Sequence, residues 1–457
     1  MASHPKLRPL EAFPVEVEGE EVICLRDPAG ITENVALVPR PVVALLTLFD
    51  GTRTVTEIQK DFVRLRGELL PREAIEGLVA QLDEALLLES RRFQTHQARV
   101  TAEFLAAPAR AAAHAGVSYP ADEAELRRLL DGYFDDPAPA PVLAPAPAIS
   151  NGTGGGDGLG HEAPAVAAAK PRAAAHRARG AGAPAAPRRA APGLCAIVAP
   201  HIDFARGGPL YAQAYRPLLD EVPPDLYVVL GTDHNGDGAL YSLTAKSFET
   251  PLGIVETDAE AVAAIGRRTG GAALLQSEIN HRREHSIEFQ AVLLRYVAAR
   301  RRDDRAPVIL PILCGSFHEF IEGDLDPAED ARIADLCAAV AEVTRGRRVV
   351  YVAGADLAHV GPHFGDDAPL GDDALERLAR GDHALLESIA AADANAFYAR
   401  LLAEQDRRRV CGLPPIYTML RMCGAGAAGE VLGYDQCPAG TDEDSRVSIA
   451  AVVLRGV

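Results

Sequence analysis

The sequence predicts an α/β fold, a mainly parallel sheet flanked by helices on both faces, preceded by a small α+β unit. Three observations carry this expectation. From Gly193 onward, short apolar runs rich in β-branched residues recur as LCAIVAP, LYVVLGT, PVILPIL, RRVVYVAGA and RVSIAAVVL. Near-continuous apolar character is what strands buried on both faces require. Between them lie helix-like stretches, AEAVAAIGRR, SIEFQAVLLRYVAAR, ARIADLCAAVAEV and DALERLARGDHALLESIAA. Strands alternating with helices build a sheet covered on both sides.

A chain of 457 residues exceeds one compact core, so more than one unit is expected. Residues 137–192 are dominated by Ala, Pro and Gly, a composition that cannot build a packed core. This low-complexity insert carries Lys170, Arg172, Arg177, Arg179, Arg188 and Arg189 against Asp157 and Glu162. The expected division is residues 1–105, an opening segment 106–136, the insert 137–192, and the α/β domain 193–457.

In the first unit, EEVICLRDP and ENVALVP read as strands, and Pro41 can begin a helix. TVTEIQKDFVRL places Ile58, Phe62 and Leu65 on one helical face. LPREAIEGLVAQLDEALLLES does the same for Ile75, Leu78, Val79, Leu82 and Leu86. LLLES and RRFQT read as a closing β-hairpin, so three helices and a hairpin spell a winged helix. Its third helix, the recognition helix expected over Pro71 to Ala85, carries Arg72 against Glu73, Glu76, Asp83 and Glu84, a surface that repels phosphate. Together with FDGTRTVTEI, this unit resembles the PqqD-like peptide-recognition domains. That resemblance implies a peptide or protein partner.

A formal charge of −18 and the absence of Trp argue against a nucleic-acid partner. No apolar stretch approaches the roughly 20 residues of a membrane helix, and no secretory core is visible. The cytoplasm is therefore the expected compartment. Seven scattered cysteines without a CxxC pair fit neither a disulfide framework nor a zinc ribbon.

Ligands of open α/β sheets bind beyond the carboxyl ends of the strands. Here those ends deliver Pro200-His201-Ile202-Asp203, Asp233-His234-Asn235-Gly236, Cys314-Gly315 and Asp356-Leu357-Ala358-His359. A lone histidine there is usually a hydrogen-bonded loop residue; four polar strand ends at one edge point to a site.

The motifs PHIDFARGGPLYAQAY, LGTDHNG, FETPLGIVETD, EHSIEFQAVLLRY, VILPILCG, AGADLAHVG and RRRVCGLPPIYTML occur in the order found in the MEMO family, which the chain resembles. Upstream, AHAGVSYPADEAELRRLLDGYF resembles that family's opening segment, so the likeness spans roughly residues 110–455. The resemblance implies a fold like the class III extradiol dioxygenases. It implies metal ligands at His201, His234 and Cys411, with His285, Asp356 and His359 as catalytic candidates in the same cavity. Imidazoles and a thiolate suit iron or copper, with zinc as a further candidate, over magnesium or calcium. Asp203 stands where the family commonly has Gly; it is a further candidate ligand, a partner for a histidine, or part of a loop turn. Cys314 reads as structural, and His281, His318, His363 and His383 have no assigned role.

The functions implied are three. One is a redox-linked metal protein of the AmmeMemoRadiSam system protein B type, with a radical-SAM protein and a third component as partners. A second is a non-haem iron extradiol-type dioxygenase, a metal-dependent oxidoreductase. The third is a non-enzymatic binding module with a vestigial pocket.

Overall fold

A computed structural model describes residues 4–135 except 18, and 193–456 except 237, 270–272, 302–304, 324, 425 and 441–442. The insert 137–192 lies outside the described residues. The first unit opens with an antiparallel sheet in the order β1 (Glu11–Val17), β2 (Glu20–Arg26), β3 (Ala36–Pro39). Helices α1 (Arg40–Leu46), α2 (Val55–Arg66), α3 (Arg72–Glu84) and α4 (Arg91–Ala106) follow.

The two expected strands are β2 and β3, and Pro41 sits in the first turn of α1. Ile58 and Phe62 are buried as their spacing predicts, whereas Leu65 is 58% exposed. The hairpin expected after α3 is replaced. LLLES contributes only the bridge between Leu7 and Leu88, and RRFQT is the first turn of α4. Ser90 caps that helix by accepting from the Phe93 amide at 3.2 Å, and Phe93, Val100 and Phe104 form its buried stripe. A capped, helically spaced apolar stripe outweighs the strand propensity of a few leucines. The sheet therefore precedes the helices.

Two connecting elements, β4 (Ala109–Arg110) and α5 (Glu123–Asp135), lead into the α/β part. Its strands and helices run β5 (Leu194–Ala199), α6 (Phe204–Tyr215), α7 (Pro217–Asp220), β6 (Leu226–Thr232), β7 (Tyr241–Leu243), β8 (Ser247–Phe248) and β9 (Glu256–Thr257). Next come α8 (Ala259–Arg268), α9 (Ala273–Gln276), α10 (His285–Arg300), β10 (Val308–Cys314), α11 (His318–Ile321) and α12 (Ala331–Val343). The chain ends with β11 (Val349–Gly354), β12 (His359–Val360), α13 (Asp372–Ala390), α14 (Ala394–Ala403), α15 (Leu413–Cys423), β13 (Ala428–Pro438) and β14 (Arg446–Arg455). All five strands and all four helices expected from the apolar runs are present.

The sheet order is β12-β14-β5-β11-β6-β10-β7, with β13 paired to β14 and β9 to β10. The central four, β5-β11-β6-β10, are parallel, so their carboxyl ends share one edge. β14 joins β5 antiparallel, as β7 joins β10. Alternation along each strand feeds two cores: Leu226, Val228 and Leu230 face one, while Tyr227 and Val229 face the other. Helices α8, α12, α13, α14 and α15 cover the first face; α5, α6 and α10 cover the second. Among the described residues, no helix is long and apolar enough to cross a membrane.

His281, in the 3₁₀ turn Glu278–Arg282, is buried, and its Nε2–H donates to the Ser242 carbonyl at 3.1 Å. Burial holds its pKa down to about 3, against an ordinary 6.5. The folded state keeps His281 neutral while the unfolded chain takes up the proton below pH 6.5. Stability is thus expected to fall with acid by about 1.4 kcal/mol per pH unit from this group. Urea denaturation between about pH 6.5 and 4.5 checks this: the pH slope in His281→Gln should be shallower by one proton.

Candidate metal centre

Each candidate residue is delivered by the sheet's carboxyl edge or by a loop packed against it. His201 lies two residues beyond β5, His234 two beyond β6, and Asp356 two beyond β11. His285 is the first residue of α10 and Glu284 its cap, with the Glu284 carboxylate accepting from the Ser286 amide at 3.0 Å. α10 can approach so closely because Gly231, next to last in β6, and Gly354, last in β11, carry no side chain. A Cβ on Gly231 would stand 2.4 Å from Ser286 Oγ, and one on Gly354 would stand 2.5 Å from the Ser286 carbonyl. Gln290 fastens the end of β5, donating to Pro200 O at 2.8 Å while accepting from Tyr215 Oη at 2.8 Å.

Cys411 comes from the loop before α15. That loop holds Gln405, Asp406 and Arg409 at φ of 53°, 43° and 53°, left-handed conformations that side chains with a Cβ rarely adopt. It is fixed against the sheet edge by Thr232 Oγ1 donating to Cys411 O at 3.0 Å and Gly412 N donating to Asp356 O at 3.1 Å.

One ligand atom each from His201, His234 and Cys411 converges within 4.8 Å of the others. His201 Nε2 stands 3.2 Å from Cys411 Sγ. On the far side of the ring, His201 Nδ1 lies 2.9 Å from Gly354 O, an acceptor, so Nδ1 carries the proton and Nε2 offers its lone pair. His234 Nδ1 is 3.0 Å from Glu284 Oε1, and the same logic leaves its Nε2 free to ligate. Outer partners of this kind are the usual support of metal-binding histidines. Two soft-to-borderline nitrogens and a thiolate therefore fit a transition ion. A second set, His234, Glu284 and His285, also falls within 4.8 Å and shares His234.

The electrostatics match this geometry. Burial opposes charge on His201, but the Asp356 carboxylate and Cys411 thiolate outweigh it and lift the imidazole to about 9. Burial likewise opposes the Cys411 thiolate, yet His201 and then His359 bring it down to about 5. The pair is an imidazolium beside a thiolate, with the proton on the nitrogen that faces the sulfur, and a metal ion would replace that proton. Glu284 is held well below the ordinary carboxylate range against its burial, chiefly by His234 and His285. His285 is pushed well below its ordinary value by burial, a shift that its contact with Glu284 only partly offsets.

Two cavities, of about 420 and 380 Å³, meet at this group, and His234 lines both. Cys411 lines the larger; His201, His285, Asp356 and His359 line the smaller. His285 packs on His234 at 4.7 Å between ring centroids and on His201 at 5.2 Å. Asp356 is buried and accepts from the His201 amide at 2.7 Å; its other oxygen is 3.7 Å from His201 Nε2. His359 turns its ring against Phe364, with Nδ1 3.3 Å from Leu357 O.

Asp203 is not brought into the ligand group. It caps α6, accepting from Arg206 N at 3.1 Å, and pairs with the Arg206 side chain at 2.6 Å. Cys314 is buried under the first core, as a structural thiol would be. His318 pairs with exposed Glu322, His383 packs on Tyr434, and His363 rims the smaller cavity. Two contributors escaped the sequence reading. Glu284, from the sequence alone, is no more than a favourable charge at the start of a helix. His114 joins the smaller cavity with its ring 5.6 Å from that of His285.

Comparison with known proteins agrees with the motif order. The sequence model of the family described as Memo-like protein matches residues 183–453, which include every ligand and cavity residue predicted from the sequence. A MEMO1 family protein of Aquifex aeolicus is 24% identical over 455 residues, 98% of this chain and 99% of that protein. One from Methanococcoides burtonii is 30% identical over 261 residues, covering 56% of this chain and 85% of that protein. Another, from Methanopyrus kandleri, is 29% identical over 267 residues, 57% of this chain and 83% of that protein. With more than half of its length matched by the family model, the chain belongs to the Memo-like protein family.

Proposed function

We propose that the chain is a transition-metal-binding, redox-linked Memo-like protein of the AmmeMemoRadiSam type, with iron or copper the favoured ion and zinc a further candidate. The observation that carries this reading is the convergence of one ligand atom each from His201, His234 and Cys411, with Nδ1 of each imidazole held by Gly354 O or Glu284. Three protein ligands leave a coordination position open to a substrate. The bound ion would supply redox or Lewis-acid chemistry. The chain's part is to orient the imidazoles through Gly354 and Glu284 and to place Asp356, His285 and His359 around the smaller cavity.

In this reading the protein works in the cytoplasm, beside a radical-SAM protein and a third component. The first unit, PqqD-like in sequence, would hold a peptide or protein. Its acidic α3, where Arg72 is tied to Glu76 at 2.7 Å, suits such a partner better than nucleic acid.

Elemental analysis of purified protein tests the proposal. Wild type is expected to carry near-stoichiometric metal, and His201→Ala and Cys411→Ala to lose most of it. Unchanged metal in both variants sinks the ligand assignment. Metal-free wild type that still captures a protein partner would favour the binding-module reading.

One observation favours ring-opening dioxygenase activity as a second reading. His285, held neutral by burial, stands beside the ligand group as a candidate base. Oxygen uptake by iron-loaded protein across a catechol panel, lost in His285→Gln, would support it; no uptake with any catechol would exclude it.

A further inference from the structure

Two elements join at the metal-site edge of the sheet and meet again at the opposite edge. β5 runs from Cys195 up to the loop holding His201, and α15 runs from the Cys411 loop back down to Cys423. α15 packs along β5. Their spans are comparable: six strand residues cover about 20 Å and eleven helical residues about 16 Å. One thiol from each element therefore arrives at the same level of the first core, against which both Cys195 and Cys423 pack. The two thiols lie within hydrogen-bonding reach of one another, and each is only partly buried.

We infer that Cys195 and Cys423 form a redox-active dithiol, a modification site that a small-molecule disulfide converts to an intrachain disulfide. Cys195 is the attacking thiol. Its hydrogen bond with Cys423 eases loss of its proton against the cost of burial, and Arg455 adds a nearby positive charge. The hydrogen bond and burial instead push Cys423 up, as suits the resolving partner. The Cys195 thiolate attacks one sulfur of the small disulfide, forming a mixed disulfide and releasing one thiolate. Cys423, giving up its proton, then attacks the Cys195 sulfur and releases the second thiol. Two protein thiols are oxidised, two protons leave, and one small disulfide is reduced to two thiols. The crosslink closes the far end of the β5–α15 pair, whose near ends carry His201 and Cys411. It does not depend on the metal proposal.

The full-length protein is incubated with oxidised glutathione, its remaining thiols are blocked, and unreduced peptides are mapped by mass spectrometry. The expected result is a peptide pair joined through Cys195 and Cys423, absent without oxidant. In Cys423→Ser, glutathione should stay trapped on Cys195, where wild type releases it. Recovery of both wild-type cysteines as blocked free thiols overturns the inference, as does Cys195 joined to any other cysteine. Should Cys423→Ser not fold, the wild-type map decides alone.

Discussion

Replacing Arg110 by methionine is expected to destabilise the folded protein by about 3–5 kcal/mol, because it strands a buried carboxylate. Arg110 and Glu288 are both fully buried and form an ion pair. Arg110 also donates through Nε to His281 O at 2.8 Å, through Nη2 to Glu284 O at 2.8 Å, and through Nη1 to Ala111 O at 2.9 Å. Glu288 accepts from Ala113 N at 3.1 Å, His114 N at 2.9 Å and the Tyr119 hydroxyl. The Glu288 carboxylate thus accepts four hydrogen bonds, and four of the five guanidinium N–H groups have acceptors. Through it, the segment ahead of the insert is clamped to α10. An exposed pair such as Arg127–Glu123 contributes only about 0–1 kcal/mol, so Arg127→Met serves as the control. Urea denaturation reads both. Adding Glu288→Leu to Arg110→Met should recover part of the loss, since no charge then remains buried. A loss below about 1 kcal/mol in Arg110→Met would contradict this account.

Glu284→Gln is expected to weaken metal binding about 10- to 100-fold while leaving the fold intact. The carboxylate fixes His234 from two directions, meeting its Nδ1 at 3.0 Å and its backbone amide at 3.0 Å. Glutamine preserves the shape and one carbonyl acceptor. It loses the negative charge that makes the His234 ring a better donor to a cation and turns one acceptor into a donor. Competition titration with a chelator measures the affinity. Equal affinities in wild type and Glu284→Gln, with unchanged urea midpoints, would leave Glu284 a helix cap and nothing more.

The difference between what the sequence reveals and what it hides is physical. β5, β6, β10, β11 and β14 are legible because strands buried on both faces must be almost wholly apolar. Their carboxyl ends then place His201, His234 and Asp356 at one edge without further information. Cys411 is different. Its position depends on a loop with three left-handed residues, which no periodicity reveals, so only motif resemblance points to it. β13 is hidden because AGEVLGYDQCP mixes glycine and charge; it is held by its long antiparallel register with β14. Arg110 and Glu288 stand 178 residues apart, beyond any local pattern. Glu284 did leave a signal: caps are normally Ser, Thr, Asp or Asn, and a glutamate in that place suggests another task.

In the proposed function, His201, His234 and Cys411 bind one metal ion together. X-ray absorption at the edge of the bound metal tests it most directly, because sulfur and nitrogen neighbours scatter differently. For a zinc-loaded sample the expected result is one sulfur at about 2.3 Å with imidazole nitrogens at about 2.0–2.1 Å. The sulfur shell should vanish in Cys411→Ala. A first shell of nitrogen and oxygen alone in wild type, unchanged in Cys411→Ala, would contradict the account.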